Sequence, residues 1–104
     1  MGIEQNVFLT KIKSRALGED KQASLILFGS KSRGDDKMDS DWDLLVLISK
    51  ERTAEFERKL RNSIYEIELE YLQPVSAIIL NKSEWNGMEI TPFYNNVIAE
   101  GKLI

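Results

Sequence analysis

Residues Leu27–Ile48 read LFGSKSRGDDKMDSDWDLLVLI, and this stretch decides the fold. An apolar run breaks at Gly29-Ser30 and a polar segment carrying Lys31, Arg33 and Lys37 follows. A second apolar run, Leu44–Ile48, then begins behind Asp41 and Asp43. Two residues apart on a strand, the aspartates point to one face. Their Cα atoms stand roughly 6–7 Å apart at a rise of about 3.3 Å per residue. Carboxylates so placed can converge on one Mg²⁺ or on two ions about 4 Å apart.

Gly29 after a buried strand permits a turn that other residues resist. It also allows a phosphate to approach the backbone amides, with the Ser30 hydroxyl as a further donor if Ser30 opens a helix. Arg33 can grip a phosphate bidentately, and Gly34 allows a turn after a short helix. Each feature alone is commonplace: a solvated strand end, a capped turn, a basic loop balancing Asp35, Asp36 and Asp39. Their combination is not.

The flanking sequence is α/β (α+β). Ile3, Val7, Phe8, Ile12, Ala16 and Leu17 have helical spacing, with Gly18 as the expected stop. Ser24–Phe28 and Leu44–Ile48 read as buried strands. Glu51 to about Glu68 carries Phe56, Leu60, Ile64 and Ile67 on one helical face, and Val75–Leu80 is a third strand after Pro74. Thr91-Pro92 caps a last helix that ends at Gly101. The order is helix, strand, strand, helix, strand, helix, an α/β sandwich. The link between the first two strands is either a crossover or a long functional loop.

Length and composition set bounds. The 104 residues suit one domain, 1–104. Hydrophobic residues at 42% and charged residues at 30% are the balance of a soluble globular protein. A net charge of −3 and a pI of about 5.0 argue against broad binding to nucleic acid or an anionic membrane. With no cysteine and no histidine, disulfides, thiolate zinc sites and histidine catalysis are excluded, and acid–base or metal chemistry falls to Asp and Glu. No membrane span or signal peptide is legible, so a cytoplasmic location is expected.

Gly29, Ser30, Arg33, Gly34, Ser40, Asp41 and Asp43 reproduce a known pattern: Gly-Ser, ten residues, Asp-x-Asp, with Arg-Gly inside and Ser before the first Asp. It resembles the signature of the DNA polymerase β-like nucleotidyltransferases. The small branch called minimal nucleotidyltransferases, related to the kanamycin nucleotidyltransferase domain, is the nearest resemblance. The resemblance implies a small fold with a short mixed sheet of about three strands or slightly more, and helices packed on it. It implies that Asp41 and Asp43 bind Mg²⁺ and are the catalytic pair. Gly29, Ser30, Arg33 and Ser40 would bind the nucleotide, with Arg33 either a phosphate contact or a support for the loop. A nucleoside monophosphate would pass from a triphosphate, ATP foremost, to an acceptor hydroxyl. The acceptor site is expected to come from elsewhere. Minimal nucleotidyltransferases are often encoded beside a helical HEPN-family protein as toxin and antitoxin, which makes such a protein an expected partner.

The sequence departs from the pattern at one place. Active members usually carry a third carboxylate on the next strand, and here the matching place is about Ser76. Glu68 and Glu70 precede it and read as a solvated helix end. The alternative is therefore a catalytically degenerate module that keeps the fold and acts by binding a nucleotide or a protein. Trp42 should face away from the aspartates and pack. Trp85, Phe93 and Tyr94 should close the core or an interface.

Overall fold

The alternation of Leu44, Leu45, Val46, Leu47 and Ile48, all buried, requires apolar partners on both sides of the strand that carries them. The computed structural model describes residues 6–34 and 41–104 and supplies those partners. The elements are α1 (Val7–Glu19), β1 (Ser24–Phe28), α2 (Gly29–Arg33), β2 (Trp42–Ile48), α3 (Ala54–Tyr71), β3 (Val75–Asn81), α4 (Lys82–Asn86), α5 (Pro92–Glu100) and β4 (Lys102–Leu103).

The strands form one four-stranded mixed sheet in the order β3-β2-β1-β4. β1 runs antiparallel to β2 and to β4, and β2 is parallel to β3 across the α3 crossover. The β1–β2 link is thus a hairpin-type connection holding a short helix, not a crossover. The α+β class and the order of elements along the chain read from the sequence stand, with α2, α4 and β4 added.

Each face of the sheet has its own core. Leu25, Leu27, Leu44, Val46, Ile48 and Ile79 pack under α1 and α3, which contribute Phe8, Leu9, Ile12, Leu60, Ile64 and Ile67. On the other face Leu45 and Leu47 meet Trp85 of α4 and Val97 of α5, with Ile26, Phe28, Ile78 and Phe93 around them. Burying each such side chain is worth roughly 1.5–3 kcal/mol. Trp85 stacks on Tyr94 at 4.4 Å and meets Phe93 edge-on, so these aromatics close the core as expected.

Helix boundaries follow caps more closely than glycines. Asn6 caps α1 by accepting from the Leu9 N–H at 3.1 Å. Thr53 caps α3 through the Phe56 N–H at 3.1 Å, so α3 begins and ends a few residues later than its periodicity suggests. Asn81 and Glu84 form a capping box on α4, and Thr91 caps α5. Gly18 does not stop α1. The helix runs through it to Glu19 and ends at Asp20, whose extended backbone returns its N–H to the Ala16 carbonyl.

Asp20 does more than end a helix. It is only 3% exposed. Its Oδ2 accepts from the Ser49 N–H at 2.6 Å and the Lys50 N–H at 3.3 Å, and its Oδ1 from the Ser49 hydroxyl at 2.7 Å and the Gln22 N–H at 3.0 Å. The carboxylate ties the end of α1 to the end of β2. Burial pushes its pKa up, but the four hydrogen bonds outweigh that and hold it below the usual carboxylate value. At the same end of the sheet Arg52 grips Glu84 bidentately at 2.7 and 2.8 Å, which pulls the Glu84 pKa down to about 2.

Replacing Asp20 by Ala should cost roughly 1–3 kcal/mol at neutral pH, because four hydrogen bonds to a charged acceptor that ties α1 to β2 are lost. The folded-state pKa is depressed, so this contribution is complete above the unfolded carboxylate pKa and fades as pH falls through the folded one. Urea unfolding of both proteins across the acidic range should show the gap narrowing as the pH drops.

Candidate active site

The site forms where β1 ends. Phe28 is the register partner of Asp43 on β2. The chain must leave the sheet at the next residue, and it does so through Gly29 at φ +75. A β-carbon on Gly29 would collide with the Asp43 carboxylate, standing 3.0 Å from its Cγ and closer still to Oδ2. Glycine is needed here twice over, for the left-handed backbone and for the space. The turn expected of Gly29 is present, and the Asp43 carboxylate stands beside it.

Ser30 follows in α2, half-buried, one residue from the turn. The helix ends at Gly34, φ +80, whose N–H returns to the Ser30 carbonyl at 3.0 Å. Gly34 thus closes the short helix that the sequence suggested.

Asp41 lies just before β2 and is exposed, whereas Asp43 is half-buried within the strand. Burial raises the Asp43 pKa first, the negative charge of Asp41 raises it further, and Arg33 opposes both. The Asp41 carboxylate is therefore near enough for its charge to act on Asp43. Trp42, between them, packs on the opposite face. Its ring lies 5.7 Å from Phe8, its Nε1 donates to Gln73 Oε1 at 2.6 Å, and Lys31 Nζ sits 4.6 Å above it.

Arg33 pairs with Glu100 at the end of α5, donating from Nη1 to both carboxylate oxygens at 3.0 and 3.1 Å. Beside it the buried Ser32 hydroxyl donates to the Glu100 carbonyl at 2.5 Å. These bonds fasten α2 to the C-terminal segment, where Gly101 packs against Ile26 and β4 begins. Arg33 ties α2 to α5, and its charge still reaches Asp43. Sequence reasoning missed Glu100 and Ser32, and no motif marks them. Ser40 lies outside the described residues.

The parallel register places Ser76 directly opposite Asp43, on the same face of the sheet and exposed. Glu68 accepts from the Val75 N–H at 2.7 Å, and Glu70 meets Lys11 of α1 at 3.3 Å, so both are committed elsewhere. Among the described residues no three carboxylates gather as a metal site. The donor set at this place is two aspartates, which fits a hard cation that completes its shell with water and phosphate oxygens.

A model of the family "Polymerase beta, Nucleotidyltransferase" matches residues 10–104. The chain belongs to the polymerase β nucleotidyltransferase family. Among solved structures, one described as a toxin–antitoxin with AMP-PNP superposes with a TM-score of 0.61 at 18% identity, over 90% of this chain and 69% of that one. At that identity the likeness speaks for the fold. A search of curated proteins finds no match. In this chain the Gly-Ser turn and the Asp-x-Asp strand are one structure, joined through Gly29 and Asp43.

Gly29→Ala should cost at least 1–2 kcal/mol from the left-handed backbone alone and displace the Asp43 carboxylate. Gly34→Ala, with nothing within 4 Å of the added carbon, should pay the backbone term only. Thermal unfolding of the two variants should order them accordingly.

Proposed function

We propose that the chain is a Mg²⁺-dependent nucleotidyltransferase that moves a nucleoside monophosphate, with ATP the foremost donor, onto an acceptor hydroxyl supplied by another molecule. The observation carrying this reading is the meeting of the Gly29 turn with Asp43, which puts the turn we propose for the phosphates beside the Asp41–Asp43 pair. Family membership supports it.

Asp41 and Asp43 would hold the cation, and Gly29 and Ser30 would receive the phosphates. When bound, Mg²⁺ would stabilise the charge that develops on the phosphoryl group. The chain's part is positioning. Asp41 and Asp43 face one side because Trp42 is packed on the other, and α2 is fixed by Ser32 and Arg33 to Glu100. The acceptor oxygen would attack the α-phosphorus, pyrophosphate would leave, and the acceptor's proton would pass to solvent or to a carboxylate, since the chain has no histidine.

The toxin–antitoxin neighbour was solved with AMP-PNP. By analogy this chain would bind an adenine nucleotide and act with a protein partner, a HEPN-family helical protein being the candidate implied by the motif resemblance. No described helix is long and apolar enough to cross a membrane, which is compatible with the proposed cytoplasmic setting.

Ser76 favours a second reading. Opposite Asp43, it stands where a third carboxylate would complete a two-metal site, and a hydroxyl supplies no negative charge there. Under this reading the module binds nucleotide or partner without transfer.

Calorimetric titration with ATP and the other triphosphates, with and without Mg²⁺, tests the shared premise. Binding should require Mg²⁺ and be lost in Asp43→Asn. Transfer of label from an α-labelled triphosphate to the partner protein supports the enzyme. Binding without transfer, combined with label transfer gained by Ser76→Asp, supports the degenerate module. Absence of binding to every nucleotide, with the partner present, overturns both.

A further inference from the structure

Phe28, Asp43 and Ser76 stand abreast on β1, β2 and β3, each the register partner of the next. Ile78 and Leu80, further along β3, pack with Leu45, Leu47 and Trp85 on the α4–α5 face of the sheet. Ser76 lies two residues before Ile78 and Asp43 two before Leu45, so both side chains belong to that same face. Neighbouring strands are about 4.8 Å apart. Ser76 is therefore the direct neighbour of Asp43 across the sheet, and on an edge strand it is exposed.

Its hydroxyl is not used by the fold. Among the described residues it makes no hydrogen bond. Other serines are committed: Ser32 donates to the Glu100 carbonyl and Ser49 to the Asp20 carboxylate.

The order of the three strands gives this hydroxyl a chemical place. The Gly29–Ser30 turn leaves the end of β1, Asp43 stands on β2, and Ser76 stands on β3, in a sheet ordered β3-β2-β1-β4. Transfer from a triphosphate is an in-line displacement, with the attacking oxygen and the leaving pyrophosphate on opposite sides of the α-phosphorus. On the function proposed above, on which this inference rests, the departing phosphates lie at the Gly29–Ser30 turn and the cation at Asp43. The attacking oxygen then belongs on the β3 side, where Ser76 stands. The Ser30 hydroxyl is on the other side, with the leaving group.

We propose that Ser76 is an acceptor for the chain's own site, so that the chain nucleotidylates itself in addition to transferring to another molecule. The Ser76 Oγ attacks the α-phosphorus of ATP and an Oγ–P bond forms. The bond from the α-phosphorus to the oxygen bridging to the β-phosphorus breaks, its electrons leave with pyrophosphate, and the hydroxyl proton passes to solvent. The product is an adenylyl phosphodiester on Ser76, and no other reactant is consumed. Because the hydroxyl is already held beside the site, the step needs no encounter with a second molecule. It happens once per chain, and the attached nucleotide then fills the site and keeps out a further triphosphate.

Incubation of the purified chain with MgCl₂ and ATP labelled at the α-phosphate tests this. Intact-mass spectrometry should show one adenylyl group added and no more, and peptide mapping should place it on Ser76. The fraction labelled per unit time should not change on dilution. Ser76→Ala, at an exposed position, should keep its circular dichroism and take no label, whereas Ser76→Thr, which keeps the hydroxyl, should take it. In calorimetry, chain already carrying the group should no longer bind ATP. ATP binding that Asp43→Asn abolishes, with Ser76 unlabelled, overturns the inference and leaves the proposed function standing. Label at another residue, label that persists in Asp43→Asn, or a rate that falls on dilution overturns it as well. So does absence of ATP binding by the chain alone, and if binding is also absent with the partner present, the proposed function falls with it.

Discussion

The space beside Gly29 is occupied by the Asp43 carboxylate, and the rest of the site depends on that one steric fact. A β-carbon at position 29 would meet the Asp43 carboxylate where it stands and force it to move. The register Phe28–Asp43 therefore fixes where β1 must end, and the left-handed turn fixes the direction in which α2 leaves. The phosphate half and the metal half of the proposed site are not two motifs brought near each other by a loop. They are two sides of one close approach, between the Gly29 backbone and the Asp43 side chain, and a change in either moves the other.

Trp42 guards the same arrangement from the far face. Its ring is held by Phe8, Lys31 and Gln73 on the α1 side of the sheet. A one-residue slip of β2 would exchange faces, exposing the indole and driving Asp41 and Asp43 towards the apolar layer of α1 and α3. Burying two unpaired carboxylates is far more costly than exposing one indole. The residue between the aspartates thus sets their orientation without touching what they bind. Ser32 and Arg33, held to Glu100, do the corresponding work for α2.

Much of this was legible in the sequence because the signals are local. Gly29-Ser30 and Asp41-x-Asp43 sit at fixed offsets within one hairpin connection, and the cores of α1 and α3 repeat at helical spacing. What was not legible depends on distant partners. Gly18 looked like a helix stop, but Asp20 sets the end of α1 by bonding Ser49 and Lys50 across the fold. β4 is two residues long and exists because Lys102 and Leu103 find the free edge of β1. α4 has five residues, too few to show a period, and only its capping box betrays it. The tie from Arg33 to Glu100 spans the whole second half of the chain. The place of Ser76 was approximate until the parallel register put it opposite Asp43.

That register bears on how a metal would be held. Asp43 already carries the cost of burial and of its neighbour Asp41, eased in part by Arg33. A third carboxylate at position 76 would add to the repulsion around Asp43 and make a cation its natural remedy. With serine there, the negative charge available to a cation comes from two groups, one of them exposed. Mg²⁺ keeps much of its hydration and favours phosphate oxygens as further ligands. On the proposed function, a two-aspartate site would gain most of its hold on the ion through a triphosphate arriving with it. On the proposed reading, the substitution shifts the balance from binding the metal alone towards binding the metal–nucleotide complex, and the Gly29–Ser30 turn becomes part of what retains the ion.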